Sequence, residues 1–225
     1  MPRGNSPAAK QAFVTPGDDA TDTLPSRRRG RKFENRRRAI VEAATEVFRR
    51  RGYSAASIQE IADEVGLLKG SLYYYIDSKE DLLFAVLSET YALAQAKIDE
   101  VEALENLTPL ERLGAYVEAH MRFIAEHTTK IAIYYSDFEL VGEDRKPLLI
   151  EQRKRFEQYI TDLIVQAQKS GEVASSVDPK IAAYLILGAM NWAYTWYRPD
   201  GRVSPRKLGK IASDLVVNGL HGSAR

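Results

Sequence analysis

The stretch SIQEIADEVGLLKGSLYYYIDSK, residues 57–79, constrains the fold more than any other part of the chain. Ser57, with Glu60 three residues later, has the pattern of a capping box, and the apolar residues that follow recur at helical spacing. Gly66 comes next, where a left-handed turn residue ends a helix. A second short helix is predicted from about Lys69 to Tyr75. Two short helices joined by a tight turn predict a helix-turn-helix, which contacts DNA bases through the first residues of its second helix.

The second predicted helix separates apolar from polar residues. Leu72 and Ile76 face the core. The free face carries small, hydroxyl-bearing and basic side chains suited to the major groove: Lys69, Gly70, Ser71 and Tyr74. Lys79 follows Ser78 at the start of the next helix, where a positive charge slightly opposes the helix dipole. Contact between this lysine and a DNA phosphate would explain its position.

These residues together resemble the signature of the TetR family of bacterial repressors. The resemblance covers about 45 residues, with turn, core and cap positions in register: Ser57, Ile61, Ala62, Gly66, Gly70, Leu72, Tyr73, Ser78, Lys79 and Leu82. Departures at Leu68, Tyr75 and Ile76 bear on which bases are read. The resemblance implies an all-α protein of about nine helices. An N-terminal three-helix helix-turn-helix domain would be followed by a helical domain for ligand binding and dimerisation.

The chain is therefore predicted to have a disordered basic tail over residues 1–33, a DNA-binding domain over 34–83 and an effector-binding and dimerisation domain over 84–225. Residues 1 to about 26 are rich in Pro, Gly, Ser and Thr without periodicity. The run Arg27–Lys32 is either a solvated tail or an arm that follows the DNA backbone or enters the minor groove. The net charge is only +1, yet residues 27–52 hold eleven Lys and Arg against three Glu.

The predicted DNA-binding residues come from this arm, the helix-turn-helix and the start of the next helix. Tyr73 and Tyr74 are included because the resembled family commonly places these positions near the DNA backbone, although either could equally be core. The full set is Arg29, Arg31, Ser57, Gln59, Lys69, Gly70, Ser71, Tyr73, Tyr74 and Lys79.

Helical patterns continue to the C-terminus. The first helix is predicted over about Asn35–Arg51, and a long fourth helix from Ser78 to about Leu104 contains the domain boundary. An eighth helix is predicted from Pro179 up to Tyr197, and a ninth begins at Pro205. These last two are too apolar for a monomer surface, so we expect a homodimer that forms a four-helix interface. The resemblance implies the same interface.

Aromatic residues are concentrated in the C-terminal half. Each could be ordinary core packing, but with a few polar groups they could line an apolar effector pocket. The predicted pocket residues are His120, Tyr134, Tyr135, Phe138, Tyr159, Trp192, Trp196 and Arg198. The segment Trp196–Gly201 resembles TetR-like regulators of lipid and sterol catabolism that respond to acyl-CoA thioesters. Acyl-CoA is therefore one candidate effector beside other apolar molecules, with Arg198 placed to meet a CoA phosphate.

Other functional classes are disfavoured. The chain lacks HExxH, GxSxG, a Gly-rich phosphate loop and cysteine, so neither catalytic residues, a metal site nor a cofactor is expected. No apolar run is long enough to span a membrane. The absence of cysteine fits a reducing compartment, and we expect a cytoplasmic, nucleoid-associated bacterial protein. The sequence predicts a dimeric repressor that binds near-palindromic operator DNA and is released by an effector. The alternative is a constitutive DNA-binding or scaffolding dimer.

Overall fold

The computed structural model describes residues 24–222 of the chain, with side chains described over residues 30–221, and the regular structure in this range is helical. The predicted all-α class is confirmed. The chain divides into two compact units, residues 1–37 and 38–225, and the described part of the first unit is helical. Within the described range, no helix combines the length and apolar character needed to cross a membrane.

Helix α1 spans Leu24–Arg51 and begins eleven residues before the predicted start at Asn35. The prediction that the whole of residues 1–33 is a disordered tail is therefore wrong for residues 24–33, and residues 1–23 lie outside the described range. Arg and Lys are good helix formers, and Pro25 falls in the first turn, where proline is tolerated. Gly52 ends the helix at φ 74°, a conformation that favours glycine.

The helix-turn-helix consists of α2, Ile58–Glu64, and α3, Lys69–Leu72. Ser57 caps α2 through the predicted capping box with Glu60. Gly66 lies in the turn at φ 64°. Helix α3 is shorter than predicted because the chain turns over residues 73–75. Leu72 and Ile76 are buried as predicted, and they anchor α3 against the core of α1 and α2.

Helix α4, Lys79–Glu102, is shared by two apolar cores. Its first half, from Leu82 to Leu87, packs with α1–α3 and with Ile133, Phe138 and Leu149. Its second half, from Ala94 to Val101, packs with the helices that follow. The predicted boundary inside this helix remains a prediction, but the change of core between residues 87 and 94 agrees with it.

Three helices and a short turn build the next layer. Helix α5 is Pro109–Glu126 and begins with a capping box of Thr108 and Glu111. Helix α6, Thr128–Ser136, is followed by a 3-10 turn at Phe138–Leu140 and then by α7, Lys146–Lys169. Helices α5 and α6 pack on α4, and α7 packs on α5 and α8.

The predicted eighth helix is divided in the structure. Helix α8, Pro179–Asn191, is interrupted at Trp192, and a single turn, α9, follows over Ala193–Trp196. The hydroxyl of Thr195 donates to the Trp192 carbonyl at 2.7 Å, a local bond that competes with helix continuation. Helix α10, Pro205–Gly222, lies along α5. Gly114 of α5 and Gly209 of α10 allow this close packing, since a Cβ on Gly209 would lie 2.5 Å from the Glu118 carbonyl oxygen.

Candidate functional site

The start of α3 presents the predicted base-reading residues to solvent. Lys69, Gly70 and Ser71 are exposed in the first turn of the helix, while Leu72 is fully buried. Tyr74 is exposed and Tyr73 about half exposed. The short helix therefore offers one basic, one small and one hydroxyl-bearing residue at the end that a helix-turn-helix inserts into the major groove.

Two of the predicted DNA-binding residues already have partners in the protein. The Ser57 hydroxyl accepts the Glu60 N–H at 3.2 Å and donates to the Glu60 carboxylate at 2.9 Å. The Gln59 amide donates to Asp63 at 2.7 Å. Ser57 and Gln59 are both exposed. A contact with DNA would use the remaining lone pairs and donors of these side chains.

Lys79 is bound within the helix-turn-helix domain. Its ammonium donates to the carbonyl oxygens of Tyr53, Ser54 and Ala56 at 3.0, 3.2 and 2.9 Å. It also lies 4.6 Å from the centroid of the Tyr53 ring. Three N–H donors therefore meet three carbonyls, which ties the start of α4 to the α1–α2 loop. The predicted phosphate contact stays a prediction, and it would require one of these bonds to be shared or released.

Basic residues at the end of α1 are paired with acids rather than left as phosphate ligands. Arg50 pairs with Glu64 at 2.6 Å and Arg51 with Glu60 at 3.1 Å, which joins α1 to α2. Of the predicted arm, Arg31 is exposed within α1, and the side chain of Arg29 lies outside the described range. Both stand in a helix rather than in an extended arm.

A cavity of about 260 Å³ lies between helices α4, α5, α6, α7 and α8. It is just below the usual size of sites for drug-sized ligands, about 300–1,000 Å³. Most of its lining is apolar or aromatic. The lining residues are Thr90, Tyr91, Ala94, His120, Phe123, Ile131, Tyr134, Tyr135, Ile150, Arg153, Lys154, Phe156, Glu157, Leu187 and Asn191. Ile150 and Lys154 are also exposed, so the cavity reaches solvent along α7.

Three of the eight predicted pocket residues line this cavity: His120, Tyr134 and Tyr135. Phe138 lies behind the wall, with its ring beneath the Arg153 guanidinium. Tyr159 packs on Tyr116 and donates to Glu102 at 2.6 Å.

The remaining predicted pocket residues lie elsewhere. Trp192, Trp196 and Arg198 are exposed and do not line the cavity.

His120 is a buried polar residue of the cavity. Its Nδ1 lies 3.4 Å from the Tyr116 hydroxyl, and it hydrogen-bonds the Asn191 side chain. Burial lowers the pKa of His120 to about 4, against which the bond to Asn191 acts only partly. The imidazole is therefore neutral near pH 7 and can both donate and accept a hydrogen bond. Burial likewise raises the pKa of the neighbouring Tyr116 hydroxyl.

Arg153 is a cavity residue that the sequence analysis missed. Its guanidinium carbon lies 3.6 Å from the centroid of the Phe138 ring and 5.1 Å from that of Tyr134. A signal for it exists in the sequence, since Arg153 falls on the apolar stripe of Leu149, Phe156 and Ile160. A basic residue on such a stripe indicates a buried charge that needs an explanation.

The loop before α7 is attached to the start of α4. The Gly142 N–H donates to Glu80 at 3.0 Å, and Arg145 pairs with Asp81. Burial alone would raise the pKa of Asp81, but Arg145 and the N–H groups of residues 77 and 78 outweigh it and hold that pKa below its usual value. Arg145 also lies 5.0 Å from the Phe84 ring centroid. This set of contacts, the α4 latch, connects a cavity helix to the helix that directly follows α3.

Comparison with known families matches most of the described chain. Residues 40–86 match the family described as bacterial regulatory proteins, tetR family. Residues 106–220 match the tetracyclin repressor-like C-terminal domain. The two matches coincide with the helix-turn-helix and with the helices that enclose the cavity.

Two proteins of similar sequence and one of similar structure support these family matches. The HTH-type transcriptional repressor KstR2 of Rhodococcus jostii is 29% identical, over 82% of this chain and 91% of that protein. The fatty acid metabolism regulator protein of Bacillus subtilis is 25% identical, over 81% of this chain and 94% of that protein. The structure of AibR in complex with isovaleryl coenzyme A and operator DNA superposes with a TM-score of 0.72, at 28% identity, over 83% of this chain and 98% of that one.

Proposed function

This chain belongs to the TetR family of bacterial regulatory proteins, and on that premise we propose that it is a dimeric repressor released from operator DNA by an apolar effector. The observation that carries the proposal is the cavity of α4–α8, which is largely apolar and bears a few convergent polar groups. The members of this family are regulators and not enzymes. Binding to operator DNA would keep the protein with the bacterial chromosome.

We further propose that the effector is an acyl-CoA thioester whose acyl chain occupies the cavity. The related AibR binds isovaleryl coenzyme A, and another relative regulates fatty acid metabolism. A cavity of about 260 Å³ has room for an acyl chain but not for a whole CoA. The CoA moiety would leave the cavity along α7, beside the exposed Lys154. Arg198, which the sequence placed near a CoA phosphate, is exposed outside the lining.

The dimer is supported by apolar side chains that the single chain leaves exposed on α8 and α10. Leu185 is 70% exposed and Leu215 is 74% exposed. The same two helices expose Ile181, Tyr184 and Ile211. Contiguous exposed apolar surface marks an interaction site in soluble proteins. A two-fold dimer through these helices would present two α3 helices to successive major grooves, about 34–36 Å apart.

Repression would end because the effector favours a state with the wrong spacing of the two α3 helices. Linkage requires that the effector weakens DNA affinity by the same factor by which DNA weakens effector affinity.

The test measures effector binding and DNA binding together. An operator would first be selected from genomic fragments, and isovaleryl-, octanoyl- and palmitoyl-CoA then titrated by calorimetry in its absence and presence. We expect saturable binding of at least one thioester and a reciprocal loss of operator affinity. Selection of an operator whose affinity no thioester or fatty acid changes would favour the constitutive DNA-binding alternative.

A cavity-filling variant tests whether the effector binds in the cavity. Ala94 is buried in the lining, so Ala94→Phe should remove thioester binding while operator binding persists. Ala92→Phe makes the same change on an exposed position of α4 and is the matched control. Equal effects of the two variants would argue against effector binding in this cavity.

A further inference from the structure

Arg153 lies in the wall of the cavity, surrounded by aromatic rings. Its guanidinium carbon is 3.6, 5.1 and 5.5 Å from the ring centroids of Phe138, Tyr134 and Tyr135. The faces of aromatic rings attract a cation, and Arg stacks on them more readily than Lys. The rings therefore hold the guanidinium in place, and the Tyr134 hydroxyl also accepts a hydrogen bond from it.

The donors of the guanidinium are only partly satisfied. The Nε of Arg153 is buried and has no hydrogen-bond partner among the described residues. One terminal nitrogen lies 3.5 Å from the Tyr134 carbonyl oxygen, the outer limit for a hydrogen bond. No carboxylate of the described residues forms an ion pair with it, whereas Arg112 and Arg145 both have one. Arg153 as a whole is partly exposed, but its buried Nε lacks the partner that a buried donor ordinarily has.

The rest of the cavity does not supply that partner. Glu157, the one acid in the lining, is 3.9 Å from Lys180. Lys154 adds a second positive charge to the lining. The neutral His120 and Asn191 offer polar contacts without charge. The ring-bounded, basic part of the cavity is therefore built for an anion.

We propose that Arg153 binds an anionic oxygen group of the effector, so that the cavity selects apolar molecules that carry a carboxylate or a phosphate. This inference rests on the proposed function and deepens it by naming the charged group that the site recognises. Arginine presents parallel N–H donors that match carboxylate and phosphate oxygens. A carboxylate would come from a free fatty acid inside the cavity. A phosphate would come from the CoA part of a thioester, which would reach the partly exposed Arg153 from the solvent side of the cavity along α7.

Three octanoyl compounds distinguish these sources: octanoic acid, octanoyl-CoA and the neutral octanoyl thioester of N-acetylcysteamine. Each would be titrated by calorimetry into the wild-type dimer and into Arg153→Met, which keeps much of the side-chain volume without the charge. We expect the variant to lose about tenfold or more in affinity for the anionic ligand that the wild type prefers, because hydrogen bonds to charged groups are the strong ones. Affinity for the neutral thioester should change less than about twofold.

Two controls separate ligand binding from folding. Arg155→Met makes the same change at an exposed position of α7 and should leave all three affinities unchanged. The thermal midpoint of ligand-free Arg153→Met should equal or exceed that of the wild type, because a buried donor without a partner has been removed. A lower midpoint with unchanged ligand affinities would assign Arg153 a structural role and overturn the proposal.

The outcomes also separate this inference from the proposed function. Equal loss of all three ligands, or equal binding of all three to both proteins, would overturn the role of Arg153 while the effector site stands. Failure of the wild type to bind any of the three, together with unchanged operator affinity, would contradict both.

Discussion

Lys79 stabilises the helix-turn-helix domain through its three carbonyl contacts and its position near Tyr53. We expect Lys79→Met to lower the free energy of unfolding by about 1–3 kcal/mol, because it leaves partly buried carbonyls without a charged donor. Urea denaturation monitored by circular dichroism would measure this. If the lysine also reaches a phosphate, operator and non-specific affinity should fall together and the salt slope should flatten by about one unit.

Lys69 provides the comparison because it is exposed in α3. Lys69→Met should leave the unfolding curve unchanged. It should reduce the discrimination between the preferred base and the other bases at one operator position by about 1–3 kcal/mol. Selection of bound sequences from a random library would detect that change. A loss of stability with Lys69→Met, or none with Lys79→Met, would contradict the separate roles of these two lysines.

His120 makes stability depend on pH. Its pKa is lowered to about 4 in the fold, against about 6.5 in the unfolded chain. Below pH 6.5 the unfolded chain binds a proton that the folded protein does not, so stability is fully present above that pH and falls until about pH 4. Between pH 7 and 5 the wild type should lose about 2 kcal/mol more than His120→Gln. Denaturant unfolding of both proteins at the two pH values would measure the difference, and equal losses would contradict the buried neutral histidine.

Single side chains show why the site was only partly predictable. His120 was found because a polar residue on an apolar stripe is conspicuous. Arg153 occupies an equivalent position but stands beside Lys154 and Arg155, so the sequence suggested a solvated basic face. Trp196 and Arg198 were placed in the pocket because the C-terminal half is rich in aromatic residues and because the segment Trp196–Gly201 resembles acyl-CoA-responsive regulators. Both residues are exposed outside the lining, and their short-range sequence pattern does not show on which side of the helices they lie.

Helices were predictable where their ends carry local chemistry. The side chains of Ser57, Ser78, Thr108 and Asp178 all accept hydrogen bonds from the backbone at the start of their helices, and each is a residue type typical of a helix cap. The start of α1 was missed because Arg27–Lys32 has no apolar periodicity, although its residues favour a helix. The interruption of α8 was missed because apolar periodicity continues through residue 197, while the break depends on a local bond of Thr195.

The contact between α5 and α10 depends on Gly209. Its Cα faces the Glu118 carbonyl so closely that a Cβ would lie 2.5 Å from that oxygen. Gly209→Ala should force the helices apart and destabilise the fold by about 1–3 kcal/mol. Gly219→Ala, on the same helix, meets no atom within 4 Å and should be neutral or slightly stabilising. Thermal unfolding of the two variants would test this. Similar midpoints would show that α5 and α10 can move apart without loss of stability.

The α4 latch is expected to transmit effector binding to α3. Arg145→Met removes the ion pair with Asp81 and leaves the cavity lining intact. We expect the variant still to bind both the effector and the operator DNA. Allosteric effectors typically change the affinity for the second ligand by about 5–150-fold, and in this variant the effector should change operator affinity hardly at all. Operator titrations with and without saturating effector would measure the coupling.

Arg122→Met controls for the loss of a partly exposed arginine, because the ion pair of Arg122 is a 4.0 Å contact with Glu126 within α5. Full coupling in Arg145→Met would show that the signal passes by another route. Loss of coupling in both variants would point to a non-specific effect of charge.

At the scale of the whole molecule, the sequence predicted assembly better than it predicted the pocket. Apolar side chains that exceed what one chain can bury identify an interface without knowledge of its partner's geometry. Leu185 and Leu215 meet that criterion in the structure. A cavity, in contrast, arises from the relative placement of five helices, which no local pattern of residues specifies.

Dimerisation through α8 and α10 is expected to be required for operator binding. Leu215→Glu places a charge on an apolar position that is 74% exposed in the single chain, so it should leave the fold intact and prevent the burial of this face. Light scattering should report a monomer, and affinity for the two-half-site operator should fall by about 10²–10⁴-fold because the second half-site is no longer bound intramolecularly. Leu104→Glu makes the same change at another exposed leucine, outside α8 and α10, and should remain dimeric. A Leu215→Glu protein that stays dimeric would place the interface elsewhere, whereas a monomer with full operator affinity would show that the two α3 helices bind independently.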